Sequence, residues 1–170
     1  DDNLNLDRLR SGKIFLEDVD LTVLVREVCA SHQPDIIQKH QTLNLDLPAE
    51  AVHANVDRSY LSQVITNLVG NAIKYTPDDG TISVRLKSEP TQIYFEVQDT
   101  GYGIPQEAQA KLFTEFYRVR SAATAHIPGT GLGLSLVKSA IEAHGGVIDF
   151  KSEADKGSTF FFTLPREAAD

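Results

Sequence analysis

Three groups of residues in this chain have types and spacings suited to chemistry. The first is Asn67-Leu-Val-Gly-Asn71-Ala-Ile-Lys74-Tyr75. A helix turns by about 100° per residue. Gln63, Asn67, Asn71 and Lys74 then share one stripe, and Leu61, Val64, Ile65, Leu68 and Ala72 fill an apolar arc. Surface helices commonly carry a polar stripe, and Gln63 needs no other account. Two asparagines four residues apart in mid-helix are less ordinary, because their amides compete for backbone groups. An asparagine oxygen can ligate a divalent cation, and a lysine can hold a phosphate. Gly70 lies beside the stripe, where a missing side chain would admit a ligand. On this stripe alone, a solvated face and a binding face both remain open.

The second group is Asp99-Thr-Gly101-Tyr-Gly103-Ile104, at the end of an alternating run. Aspartate can simply form a turn there. A buried carboxylate needs a donor, and an adenine amino group would serve. The third is Gly129-Thr130-Gly131-Leu132-Gly133, immediately before an apolar-periodic segment. Free amides at a helix start bind phosphate, and the same glycines would also make a flexible linker. The run matches neither the phosphate loop G-x-x-x-x-G-K-[ST] nor the dinucleotide fingerprint, since no strand leads into it.

The elements that must position these groups can be read from periodicity. Residues 1–19 read as the tail of a helix and a linker, broken at Ser11-Gly12, with the compact domain at 20–170. Asp20 caps a helix carrying Leu21, Leu24, Val25 and Val28, which Pro34 bends or breaks. Asp57 caps a long helix from about Arg58 to Tyr75. Leu43 to Leu47 and Val52 to Val56 alternate as short strands. Ile82-Val84-Leu86 and Ile93-Phe95-Val97 read as an antiparallel hairpin with one buried face. Pro105 opens a short helix through about Phe113, and residues 118–130 have no clear period. A further helix bears Leu136, Val137, Ala140 and Ile141, and Val147–Phe150 and Ser158–Leu164 are the last strands. Three substantial helices and about six short strands predict an α+β, two-layer sandwich: a mixed, mostly antiparallel sheet covered on one face by the helices.

Composition narrows the function classes. With 16 Lys+Arg against 24 Asp+Glu, the net charge is −8, which disfavours binding to nucleic acid or to anionic membrane. The single cysteine, Cys29, excludes an internal disulfide and a cysteine zinc site, and is in keeping with a reducing compartment. No apolar run reaches the roughly 18–20 residues of a membrane span. The absence of methionine suggests a piece of a longer polypeptide, which could itself be membrane-anchored.

Taken in order, the motifs resemble those of the ATP-binding catalytic domain of sensor histidine kinases, within the GHKL superfamily. The segment from Asn67 to Thr76 resembles the N box and Asp99 to Ile104 the G1 box. Lys111 to Arg118 resembles the F box, Gly129 to Gly133 the G2 box, and Gly157-Ser-Thr159-Phe160 the last glycine-threonine element. The resemblance implies that Asn71 ligates Mg²⁺ bridging the phosphates of ATP, with Asn67 beside them. It implies that Lys74 and Tyr75 contact phosphate, sugar or base edge. Asp99 would accept from the adenine amino group, helped by Thr159, and Gly101, Gly103 and Ile104 would line the base pocket. Residues 113–130 would form a lid anchored by Phe113 and Phe116, with Arg118 a γ-phosphate contact and Gly129, Thr130, Gly131, Leu132 and Gly133 around the phosphates. Asn67, Lys74 and Arg118 would then be the catalytic set.

The implied activity is transfer of the γ-phosphate of ATP to a histidine. The implied partners are the dimerisation and histidine-phosphotransfer domain of the same protein and a response-regulator receiver domain. None of the five histidines sits in the family's acceptor motif. The chain is expected to be a cytoplasmic monomer cut from a homodimeric parent. Hydrolytic members of the superfamily place a glutamate where Asn67 stands, which disfavours a water-activating ATPase. A serine kinase of the superfamily fits the long lid segment less well. A non-catalytic nucleotide sensor would not need the full set of ligands that the motifs carry.

Overall fold

The computed structural model describes residues 13–113 and 133–166. The chain enters through strand β1 (Glu17–Asp20) and helix α1 (Leu21–Ser31). Asp20 caps α1 by accepting from the Val23 amide at 3.1 Å, and Leu21, Leu24, Val25 and Val28 are buried on its inner face. The helix stops at Ser31, and a separate short helix α2 (Gln33–Gln38) begins with Pro34 in its first turn. That break is what the fixed φ and missing amide of proline impose. Strands β2 (Thr42–Asp46) and β3 (His53–Val56) lead to the central helix α3 (Arg58–Lys74). Strands β4 (Thr81–Ser88) and β5 (Gln92–Asp99) follow, then the single turn α4 (Gln106–Gln109). Helix α5 (Gly133–Ala143) and strands β6 (Val147–Ser152) and β7 (Ser158–Pro165) complete the described elements.

The main sheet has the order β2-β4-β5-β7-β6, parallel between β2 and β4 and antiparallel elsewhere. Its inner face presents Ile82, Val84, Ile93, Phe95, Phe162 and Leu164, all buried with the apolar faces of α1, α3 and α5 in one core. Alternation turns Arg85, Tyr94, Glu96 and Phe161 to the other face, where Tyr94 stacks on Phe161 and its hydroxyl donates to Glu96 at 2.7 Å. The expected two-layer α+β sandwich is therefore what the chain forms.

Some details differ from expectation. Residues 17–20 are not linker: β1 pairs antiparallel with β3 in a separate two-stranded sheet, so the folded unit starts before residue 20. The described residues hold seven strands rather than six, because β1 is an additional strand, paired with the expected β3. The helix after Pro105 is one turn long, followed by turns to Phe113. The buried arc of α3 is wider than a single apolar stripe and takes in Tyr60, Val69 and Ile73, because α3 packs against α1, α5 and β5 together.

Asp57 joins the entering chain to α3. Its Oδ1 accepts from the Tyr60 amide at 3.2 Å, and its Oδ2 accepts from the Phe15 amide at 2.9 Å. Its own amide donates to His144 Nε2 at 3.0 Å, at the end of α5. Replacing Asp57 with alanine removes a helix cap and the acceptor of the Tyr60 and Phe15 amides. It is expected to lower the unfolding free energy by about 2 kcal/mol, read from urea denaturation. A shift below about 0.5 kcal/mol would contradict this role.

Candidate nucleotide-binding site

The site is built around the polar face and the last turn of α3. Asn67 and Asn71 are half-buried, one helical turn apart, and Lys74 is exposed one turn further on. The first residue of α5 meets this face: Asn67 Nδ2 lies 3.5 Å from the Gly133 carbonyl, a long and weak bond. At the other end, the loop after β5 packs on the end of α3. The Tyr102 amide donates to the Tyr75 carbonyl at 3.1 Å. A Cβ on Gly101 would stand 2.2 Å from that same carbonyl oxygen and 3.0 Å from Thr76 Oγ1. No side chain fits there, so glycine is a steric requirement at 101.

Asp99 ends β5 and is 8% exposed. Its Oδ1 accepts from the Gly101 amide at 2.9 Å and from the Ser158 amide at 3.2 Å. Among the described residues no donor reaches Oδ2, so one oxygen is fixed and the other remains available. Burial pushes the carboxyl up to about 6, with the two amides opposing the rise. Thr76, fully buried, keeps a hydroxyl without a partner, and a Cβ on Gly101 would stand 2.9 Å from Asp99 Oδ1 and 3.0 Å from this Oγ1. Gly157 takes φ of +91°, and a Cβ there would fall 2.1 Å from the Asp99 carbonyl oxygen. That glycine lets β7 start against Asp99. Gly103 packs its open side on Glu153, and the Ile104 amide donates to Ser152 Oγ at 2.8 Å. Ile104 is buried with Ala108 and Leu112, against Leu134, Phe150 and Phe160.

Asn67, Asn71, Lys74, Tyr75, Asp99, Gly101, Gly103, Ile104 and Gly133 are thus gathered at α3, the end of β5 and the start of α5. Arg118, Gly129, Thr130, Gly131, Leu132 and Phe116 lie outside the described residues. Phe113 packs on Phe150 with ring centres 5.8 Å apart.

Two expectations are corrected. Thr159 is not brought to Asp99: it pairs with Gln98, and strand alternation turns it to the other face of the sheet. Ser158 is the residue in register with Asp99, one position earlier. Gly70 does not open the polar stripe to a ligand, because a Cβ there would face His32 at 3.6 Å. Thr76 is read in the sequence as part of the N-box segment and given no role of its own.

This geometry agrees with the comparisons to known proteins. A family model described as histidine kinase-, DNA gyrase B- and HSP90-like ATPase matches residues 56–168. The chain belongs to this ATPase family. WalK, a sensor histidine kinase of Bacillus subtilis (strain 168), is 39% identical over 75% of this chain and 21% of its own length. The isolated catalytic domain of the histidine kinase ThkA superposes with a TM-score of 0.79 at 29% identity, covering 89% of this chain and 98% of that one. ThkA has also been solved in complex with the response regulator TrrA. The histidine kinase ShkA, full-length and in complex with AMPPNP, gives a TM-score of 0.81 at 28% identity, over 99% of this chain and 35% of that one. The chain is a GHKL catalytic, ATP-binding domain of the sensor histidine kinase kind. It spans 21% and 26% of the lengths of WalK and of drug sensory protein A from Synechocystis. Among the described residues of this domain, no helix is long and apolar enough to cross a membrane.

Because folding raises the carboxyl of Asp99, its contribution to stability is complete below about pH 4 and is lost as pH rises through about 6. The unfolding free energy of the domain relative to Asp99→Asn is therefore expected to fall, by on the order of 2–3 kcal/mol, between those limits. Urea titrations of both proteins across that range measure it. A pH-independent difference would contradict the buried carboxyl.

Proposed function

We propose that this domain binds ATP with Mg²⁺ and donates the γ-phosphate to a histidine on a separate helical dimerisation domain of the same protein. The single observation that carries the reading is the pairing of a purine-reading carboxylate, Asp99, with a phosphate-side face built of amides. Asp99 Oδ2 would accept from an adenine amino group, while Oδ1 stays committed to two backbone amides. Asn67 occupies the place of the hydrolytic relatives' glutamate, and an amide cannot activate water as a base. An imidazole acceptor is itself a nucleophile, so a domain without a base suits transfer to histidine.

The donor set fits a magnesium ion of the substrate-bound kind. Asn71 offers one neutral oxygen, and the described residues contain no cluster of three histidine, cysteine or carboxylate side chains. Such an ion draws its remaining ligands from phosphate and water, and when bound it neutralises the phosphate charge. Asn71 would hold it, and Asn67 would orient the phosphates. Lys74 and Tyr75 would meet phosphate and sugar. Ser158 would hold the base-reading carboxylate in place. Arg118 and residues 129–132, outside the described part, would supply the remaining phosphate contacts. What the domain contributes is position and charge. In this reading the partners are the dimerisation domain and a response-regulator receiver domain, the location is cytoplasmic, the parent is a homodimer, and the domain alone is a monomer.

Calorimetry with ADP tests the metal side. Asn71→Ala is expected to weaken binding about tenfold with Mg²⁺ and far less in EDTA. An equal loss in both, or none, would contradict the assignment. With ATP and a separately supplied acceptor domain, an acid-labile, base-stable phosphoryl adduct is expected on the acceptor. Steady hydrolysis at about 1 per second without an acceptor would instead favour the ATPase reading.

A further inference from the structure

A helix leaves its last four carbonyls without internal partners. Helix α3 ends at Tyr75, with no left-handed residue or glycine to close it. Donors from elsewhere in the chain take up its final carbonyls. The Ile73 carbonyl accepts from Lys39 Nζ at 2.7 Å and from Gln41 Nε2 at 3.1 Å. Lys39 Nζ also lies 3.4 Å from the Lys74 carbonyl, and Gln41 Nε2 donates to the Thr76 carbonyl at 2.8 Å. The Tyr75 carbonyl is left for the Tyr102 amide of the Asp99 loop.

We propose that Lys39 and Gln41 are positioning residues for the nucleotide site, a side-chain clamp that holds the carbonyls of Ile73, Lys74 and Thr76 so that the end of α3 and the Asp99 loop keep their mutual placement. The inference rests on the nucleotide reading above. The clamp is a built feature. His40, between the two residues, takes φ of +52°, which turns the chain so that both side chains reach one target. The turn is itself anchored: the Gln41 amide donates to the Ile36 carbonyl, Asp79 to Lys39, and Thr42 to Gly80. Gln41 is buried, and its Oε1 has no partner. The flipped amide would set that oxygen against two carbonyl oxygens, so the donor orientation is the one electrostatics permits. An ammonium at a helix C-terminus also meets the negative end of the helix dipole.

The carbonyls held flank that of Tyr75, and Lys74 is itself a candidate site residue. A shift of the Tyr75 carbonyl meets Gly101 at once, because the space there is too small even for a Cβ. Gly101 in turn supplies an amide to Asp99. A loosened clamp therefore reaches the adenine-reading carboxylate through two consecutive contacts.

The test uses Lys39→Met, which keeps the aliphatic stem, Gln41→Met, and the conservative Lys39→Arg. ADP affinity with Mg²⁺ is measured by calorimetry, and KM and kcat are measured with ATP and a separate acceptor domain. Both methionine variants are expected to bind ADP about tenfold more weakly, with KM raised and kcat within about twofold of wild type. Lys39→Arg is expected to restore most of the affinity. Val52→Ala, a core variant away from the site, serves as a stability control and is expected to bind ADP like wild type. If the methionine variants melt earlier but bind ADP as wild type does, the clamp is only structural and the proposal is overturned. Should Lys39→Met fail to fold, Gln41→Met decides in the same way. A wild-type domain that binds no ADP overturns the nucleotide reading, and this inference with it.

Discussion

A carboxylate buried at the end of a central strand is costly unless its environment is arranged around it. Asp99 is such a group, and much of the chain near it can be understood as that arrangement. Oδ1 is held by the amides of Gly101 and Ser158, which come from different parts of the sequence. Satisfying this oxygen requires the loop after β5 to turn back sharply and β7 to begin against the carbonyl of Asp99. Gly101 and Gly157 make those approaches possible. The same two bonds fix which oxygen is left over. Orientation of the free oxygen is thus a consequence of how the charged group is kept tolerable.

Helix α3 is the second constraint. It is buried against neighbours on several sides, so only a narrow face is free to carry polar groups, and Asn67 and Asn71 occupy it. Its C-terminal carbonyls are met by Lys39, Gln41 and the Asp99 loop rather than by a local cap. The amide-bearing face therefore belongs to this helix, and the loop that follows Asp99 rests on its end through the Tyr102–Tyr75 bond. On the proposed reading, such a site would act by position, which is what a reaction with little covalent work for the protein demands.

Much of this is legible in the sequence because the signals are local. Asp20 and Asp57 cap helices, alternation marks β4 and β5, and the Asn67, Asn71 and Asp99 motifs stand in order. What is not legible depends on pairing between distant segments. The offset between Ser158 and Thr159 is a single residue, and a strand's period of two sends that offset to the other face. Only the register of β5 with β7 resolves it. β1 reads as linker from its own residues because its partner, β3, lies beyond intervening helices and a strand. Lys39 and Gln41 act across separations of 32 to 35 residues and carry no motif. Gly70 misleads because the neighbour that fills its space, His32, comes from the junction of two other helices.

The central claim is that the free oxygen of Asp99 reads an adenine amino group. Comparing ADP with inosine diphosphate, which carries a carbonyl in place of that amino group, tests it most directly. Calorimetry on the wild-type domain is expected to show ADP bound at least about tenfold more tightly. In Asp99→Asn that preference should largely vanish. Equal affinity of the wild-type domain for the two nucleotides would contradict the account.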